Sequence, residues 1–453
     1  MLHSSPVPSG GPGLFTDLYE LTMAASYHAR GLDEPATFDL FFRSLPEQRR
    51  FLVSCGLEQS LDYLESLRFG ERELSYLSSL DLFEASFLDR LAELRFSGEV
   101  WAVPEGQAVF EREPVMRVTA PLIEAQLVET YLLNCLSHQT MVASKAARVA
   151  LACGDHDFVD FSARRVQGSD AALLGSRASH VAGASATSLV LAGQVFGIPV
   201  SGTMAHSYVM RFEREADAFW AFARDLPGRA VLLIDTYDTV EGARRAVEVA
   251  RELAEDGVRL QAVRLDSGDL GALSRQVRSV LDEGGFGDVR IVASGDLDEY
   301  RIASLLDQAA PIDSFGVGTR MGASTDAPSL NAVYKLVEDA DGPKLKLSPD
   351  KVTLPGRKQV HRTRGAAGIE SDVVALHDEE VSGAEPLLER VLADGERTSP
   401  SPSLDAIRRR CEETLALLPQ RLRGLDLEEF EPFPVTVSVG LQDLLTRIGQ
   451  VHE

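Results

Sequence analysis

The sequence predicts an α/β fold built on a parallel sheet with helices outside it, joined to a second α+β lobe. Three observations carry this expectation. From residue 155 to about 335, strand-like and helix-like segments alternate repeatedly, as they do in parallel βα units. Residues 14 to about 120 instead mix helices with short alternating strands. A chain of 453 residues with 44% hydrophobic content is also long enough for two or three packed lobes, because single cores stop growing well before this length. The parallel sheet is either doubly wound or closed, and an irregular α/β barrel is the favoured form.

Element by element, the opening Met-Leu-His-Ser-Ser-Pro-Val-Pro-Ser-Gly-Gly-Pro-Gly reads as a disordered leader over residues 1–13. It lacks the charged start and apolar run of a signal peptide, and no later apolar stretch is long enough to span a bilayer. An N-terminal lobe over 14–121 follows, with helices at 16–29, 57–67 and 83–94 and strands at 36–43 and within 99–119. A long apolar helix over 122–153 opens the barrel region, 122–340. Its strands are expected at 156–161, 198–202, 230–235, 260–266, 289–293 and 312–316, with helices at 239–255, 270–282 and 297–308. Residues 341–453 hold a basic segment, a polar Ser/Pro stretch at 398–403 and a helix at 404–418, and are expected to return to the N-terminal lobe.

Charge narrows the function. A formal net charge of -24 argues against a nucleic-acid partner, because phosphate-backbone binding needs clustered Lys and Arg. An anionic substrate would need a few aimed cations, backbone N–H groups and a divalent metal. The four cysteines form no CxxC pair, which points to neither zinc nor a disulfide framework and fits the reducing cytoplasm.

Every expected strand of the repeat runs into a polar cluster. These are Ser162-Ala-Arg-Arg165, Gly202-Thr-Met-Ala-His-Ser207, Asp235-Thr-Tyr-Asp238, Asp266-Ser-Gly-Asp269, Ser294-Gly-Asp296 and Gly316-Val-Gly-Thr-Arg320. Ligands bind where the carboxyl ends of parallel strands converge, so the clusters define one candidate site. Taken singly, each aspartate is equally well read as a helix cap, and Gly316-Val-Gly318 as a tight turn. Recurrence at strand ends favours a site. His206, set among small and hydroxyl neighbours, is a structural hydrogen-bonding residue, a base or a nucleophile. Arg164 and Arg165 are either bidentate anion ligands or a solvated pair.

These residues carry a family resemblance. The chain resembles nicotinate phosphoribosyltransferases through Phe15-Thr-Asp-Leu-Tyr-Glu-Leu-Thr-Met23, Phe161-Ser-Ala-Arg-Arg-Val-Gln-Gly168 and the run from Ala186-Thr-Ser-Leu to Gly202-Thr-Met-Ala-His-Ser207. Arg264-Leu-Asp-Ser-Gly-Asp269, Phe315-Gly-Val-Gly-Thr319, Asn331-Ala-Val-Tyr-Lys-Leu336 and Lys351-Val-Thr-Leu-Pro-Gly-Arg-Lys-Gln-Val360 continue it in order. The resemblance implies a type II phosphoribosyltransferase: an irregular α/β barrel, an N-terminal lobe completed by the chain end, and a homodimer with shared active sites. The implied substrates are nicotinate, phosphoribosyl pyrophosphate and ATP, with Mg2+ as cofactor, in NAD salvage. His206 would be phosphorylated by ATP. Tyr19 would stack on the pyridine of the neighbour's site and Phe161 on its other face, while Arg164 would lie near the base or its phosphates.

Thr187 and Ser188 would bind the nicotinate carboxylate. Asp235 and Asp266 would meet the ribose hydroxyls and Mg2+, directly or through water. Arg264 and Lys351 would take pyrophosphate, and Gly295, Asp296, Gly316 and Gly318 the 5'-phosphate and ribose. Related nicotinamide-using enzymes are expected to place an aspartate where Ser188 stands. A hydroxyl can donate to a carboxylate and an aspartate would repel it, so nicotinate is the expected substrate. The alternatives are a nicotinamide- or quinolinate-type relative and a non-catalytic nucleotide-binding homologue. No Walker A pattern occurs, so ATP is expected at the same phosphate site as the other substrate.

Overall fold

The computed structural model describes residues 12–347, 353–425 and 431–450. The chain divides into two compact units, residues 1–144 with 327–453, and residues 145–326.

The first unit is the α+β lobe, and the chain end contributes strands to it. Its larger sheet runs in the order Gly342–Pro343, Ala332–Asp339, Pro35–Phe42, Pro114–Pro121, Glu99–Ala102, Glu389–Ala393, Glu396–Arg397, all antiparallel. Phe38, Leu40 and Phe42 alternate along their strand and enter one apolar core with Val100, Met116, Val118, Tyr334 and Leu392, as a pleat of period two requires. A smaller sheet pairs Lys358–Gly365 with Gly368–Leu376 and adds Ala384–Pro386 and Val435–Val437 at its edges.

Polar groups inside this unit are tied down. Arg362 and Asp372 are fully buried, and the guanidinium donates from Nε to Oδ1 at 2.9 Å and from Nη2 to Asp372 and to the Ala108 carbonyl, the latter at 2.9 Å. Arg362→Ala leaves Asp372 buried and unpaired. It is expected to cost about 3–5 kcal/mol, read as a lowered denaturant midpoint with an unchanged slope. An unaltered midpoint would contradict this.

The second unit is the expected α/β element. Six parallel strands lie in the order Ala186–Thr187, Asp157–Asp160, Ser314–Val317, Arg290–Ala293, Ala262–Leu265, Val231–Leu233. The sheet curls as an incomplete barrel, with the first and last of these strands at its edges. Helices Thr239–Glu255, Leu270–Glu283 and Glu299–Asp307 present apolar stripes to it, for example Ala246, Val249, Ala250 and Leu253.

Several expectations change. The strand expected at 198–202 shrinks to one bridge, Thr187 to Val200, because Pro199 has no N–H to offer and serves only as an acceptor for Thr187. The helix over 122–153 divides into Leu122–Leu127 and Glu129–Cys153. The units part at 144/145 and 326/327, not at 121/122 and 340/341. The reason is packing: Tyr131, Leu132, Cys135 and Leu136 belong to the first unit's core, and Ala332–Asp339 pairs with Pro35–Phe42. Residues 1–11 of the expected leader lie outside the described residues, but Pro12 and Gly13 are buried in a short turn whose Gly13 N–H donates to the Arg68 carbonyl. The Ser/Pro stretch ends in a structural role, since Ser403 caps the helix Leu404–Leu417.

Candidate active site

The aspartate clusters at the strand ends separate cleanly into caps and non-caps. Asp238 accepts from Glu241 N, Asp269 from Ala272 N and Asp298 from Arg301 N, each at the start of its helix. Asp235 and Asp266, three residues upstream of the first two caps, cap nothing. Backbone geometry thus frees the strand-end carboxylates for other work.

Those carboxylates form a network. Asp235 Oδ2 accepts from the Asp266 N–H at 2.8 Å and from Ser267 Oγ at 2.7 Å, while its Oδ1 is buried and has no hydrogen-bond partner among the described residues. Asp266 Oδ1 accepts from Ser294 Oγ and, at 2.8 Å, from Arg264 Nη2. Burial alone would raise the Asp266 carboxyl, but the bonds from Ser294 and Arg264, then the charge of Arg264 and the nearby His206, hold it below the usual carboxylate range. Asp266 is therefore an anion at neutral pH. His206, half-exposed, opens the short helix His206–Val209, with Nδ1 3.1 Å from Thr236 Oγ and Nε2 3.9 Å from Asp266 Oδ2.

Arg264 is heavily committed. Nε donates to Ser294 Oγ at 2.9 Å and Nη1 to Thr203 Oγ at 3.0 Å and to the Met204 carbonyl at 3.4 Å, in addition to Asp266. These contacts occupy most of a guanidinium's five donors, so the residue orders Asp266 and has little left for the pyrophosphate assigned to it from sequence. Its guanidinium also sits 5.5 Å from the centre of the Phe161 ring.

The Phe161 ring packs closely on Gly316, a residue of the neighbouring strand with no side chain to displace it. A Cβ there would come within 2.5 Å of the ring. Gly318 precedes the turn Thr319–Gly322, and a Cβ there would sit 3.3 Å from the Phe161 carbonyl. Gly295 is required outright: its φ is 94°, and a Cβ would lie 2.0 Å from the Asp266 carbonyl oxygen. Asp296 follows in a left-handed conformation, φ 48°, with an exposed side chain. Ser188 and Arg164 are exposed.

Thr187 lies behind Ser188. It is fully buried, and its hydroxyl donates to Asp160 at 2.9 Å and accepts from Leu189 N, which ties the backbone on either side of Ser188. Tyr19 belongs to the first unit, in the helix Leu18–Arg30, where it is 48% exposed beside a cavity of about 410 Å3 shared with Asp17, Glu129 and His138. Burial, then the Glu129 and Glu20 carboxylates, push its phenol upward. Lys351 lies outside the described residues. Sequence reading missed Asp160 as an organiser, and it gave Thr236 and Ser294 no role. Asp160 carried the same signal as Asp235, an aspartate closing a strand.

Models of the nicotinate phosphoribosyltransferase N-terminal domain, family and C-terminal domain match residues 14–137, 156–364 and 371–445 in turn. A nicotinate phosphoribosyltransferase of Mycobacterium tuberculosis is 45% identical over 436 residues, 96% of this chain and 93% of that protein. The chain belongs to the nicotinate phosphoribosyltransferase family. Another member, from Bacillus subtilis, is 44% identical over 379 residues, 82% of this chain and 77% of that one. Crystal structures agree on the fold: human nicotinic acid phosphoribosyltransferase superposes with a TM-score of 0.87 at 29% identity, covering 96% of this chain and 99% of that one. A nicotinate-nucleotide pyrophosphorylase from Pyrococcus furiosus gives 0.74 at 26% identity, covering 89% and 95%. Among the described residues, no helix is long and apolar enough to cross a membrane.

Proposed function

We propose that this chain is a cytoplasmic nicotinate phosphoribosyltransferase, joining nicotinate to C1 of phosphoribosyl pyrophosphate and consuming ATP through phosphorylation of His206. The observation that carries the reading is the convergence of His206, Arg264, Asp266 and Asp235 on one network at adjacent strand ends.

Breaking the bond from C1 to pyrophosphate leaves positive charge on the ribose ring. Fixed carboxylates stabilise that charge without having to reorganise, and Asp235 and Asp266 are held by the hydrogen bonds that would keep them in place. Phe161 offers a flat apolar face for the pyridine, and Tyr19 of a second copy would cover the other side in a homodimer. The Ser188 hydroxyl donates to the nicotinate carboxylate. Gly295, Asp296, Gly316 and Gly318 line the ribose and 5'-phosphate, and Arg164 and Lys351 take the pyrophosphate that Arg264 is too committed to bind. In the tautomer with its proton on Nδ1, His206 donates to Thr236 Oγ and presents the Nε2 lone pair to the γ-phosphorus of ATP, so that the N–P bond forms as the bond to the bridging oxygen breaks and ADP leaves.

Two carboxylates offer oxygen donors of the kind Mg2+ takes: Asp235 Oδ1 is buried with no partner among the described residues, and Asp266 is anionic. Bound there, Mg2+ would neutralise departing pyrophosphate.

Mass spectrometry of a reaction holding nicotinate, phosphoribosyl pyrophosphate, ATP and Mg2+ is expected to show nicotinate mononucleotide. Its absence from a folded, Mg2+-supplied enzyme would overturn the reading. Ser188→Asp is expected to lower kcat/KM for nicotinate by about a hundredfold, as a carboxylate facing a carboxylate costs several kcal/mol, and to improve use of nicotinamide. Unchanged selectivity would mean that the carboxylate is read elsewhere.

A further inference from the structure

Asp160 closes the strand Asp157–Asp160 and is fully buried. Its carboxylate accepts four hydrogen bonds from three separate segments. Oδ1 takes the Ser162 N–H at 2.9 Å and the Ser162 hydroxyl at 2.6 Å, in the turn that follows Phe161 and leads to Arg164. Oδ2 takes the Ser176 hydroxyl, from the helix Ser169–Val181, and the Thr187 hydroxyl, both at 2.9 Å. The Asp160 carbonyl accepts from the Ser188 N–H at 2.8 Å. One residue therefore holds the turn that follows Phe161 through its carboxylate, and the backbone of Ser188 through its carbonyl and through Thr187.

We propose that Asp160 is a positioning residue that sets affinity for the pyridine acid by fixing the ring-stacking face of Phe161 against the hydroxyl of Ser188. The inference rests on the assignment of these two residues to nicotinate. Asp160 need not touch substrate. A pyridine ring and its carboxylate are rigid with respect to each other, so the face and the donor that read them must be rigid too, and a misplacement of an ångström is expensive. An ionised carboxylate suits this task because it only accepts, and all four of its partners donate.

Asp160→Asn tests this with little change in shape. The amide retains one acceptor for Ser162 but turns an NH2 group toward Ser176 and Thr187, so both hydroxyls lose the charged oxygen they share and fall back on neutral acceptors, Ser176 Oγ for Thr187 at 3.2 Å and the Ala172 carbonyl for Ser176 at 3.0 Å. The expected result is a KM for nicotinate raised about tenfold, with the KM for phosphoribosyl pyrophosphate within about twofold and ATP-dependent labelling of His206 retained. Ser176→Ala removes a single donor from a helix that tolerates alanine well, and is expected to raise the nicotinate KM about threefold.

If Asp160→Asn does not fold, Ser176→Ala decides. An unchanged nicotinate KM in the folded variants would overturn the proposal, as would equal losses in nicotinate KM, phosphoribosyl pyrophosphate KM and His206 labelling, the pattern of a merely structural role. Failure of the underlying reading looks different: the unaltered enzyme would then show no nicotinate turnover at all.

Discussion

Incubated with labelled ATP and Mg2+, the unaltered protein is expected to acquire an acid-labile, base-stable phosphoryl group, and His206→Ala is expected to lose it completely. The position of the imidazole dictates the result. Its ring is half-exposed at the start of the helix His206–Val209, one nitrogen is held by Thr236, and the other faces the anionic Asp266 across 3.9 Å. A phosphoryl group at that nitrogen would bring roughly two negative charges toward the site assigned to Mg2+. Losing the nitrogen removes the chemistry and costs little packing, because the ring is half-exposed. The melting temperature of His206→Ala should therefore stay close to that of the parent, while any stimulation of nicotinate turnover by ATP disappears. Label retained by the variant would move the phosphoryl acceptor elsewhere.

Gly295→Ala is expected to be the most damaging substitution of a single methyl group. The new Cβ would collide with the Asp266 carbonyl at 2.0 Å, in a backbone conformation that side chains rarely adopt. Relief requires the Asp266 backbone to move, and its N–H is the donor that holds Asp235. Both carboxylates shift together. A displacement of an ångström is enough for a loss of about a hundredfold in kcat/KM. The prediction is that the variant folds with reduced stability and loses at least that factor toward nicotinate. Parental kinetics would contradict the role given to the Asp235–Asp266 pair.

Much of this arrangement was legible in the sequence because two periods announce it. Helices Thr239–Glu255 and Leu270–Glu283 fall where the 3.6-residue pattern put them, since each buries one stripe. The strand-end aspartates were visible as well, but sequence could not say which carboxylate in Asp266-Ser-Gly-Asp269 caps the helix. That depends on which one lies within reach of the third N–H, a matter of backbone angles. Arg264 shows another limit: its sequence neighbourhood does not reveal that Ser294, Thr203 and Asp266 engage its guanidinium.

The same holds for Thr187 and Asp160, 27 residues apart in sequence and hydrogen-bonded in space. The C-terminal strands Lys358–Gly365 and Gly368–Leu376 were not foreseen, because charged residues such as Arg362 and Asp372 occupy positions that face inward. Their burial is possible only as a pair, and pairing across strands is a tertiary fact.

The central claim is that one ribose-bearing ligand is held where the parallel strands of the second unit end. A crystal structure with nicotinate mononucleotide bound tests it most directly. The pyridine is expected against Phe161 with its carboxylate at Ser188, the ribose between Asp235 and Asp266, and the phosphate near Gly295 and Gly316. A nucleotide bound away from His206, Asp235 and Asp266 would contradict it.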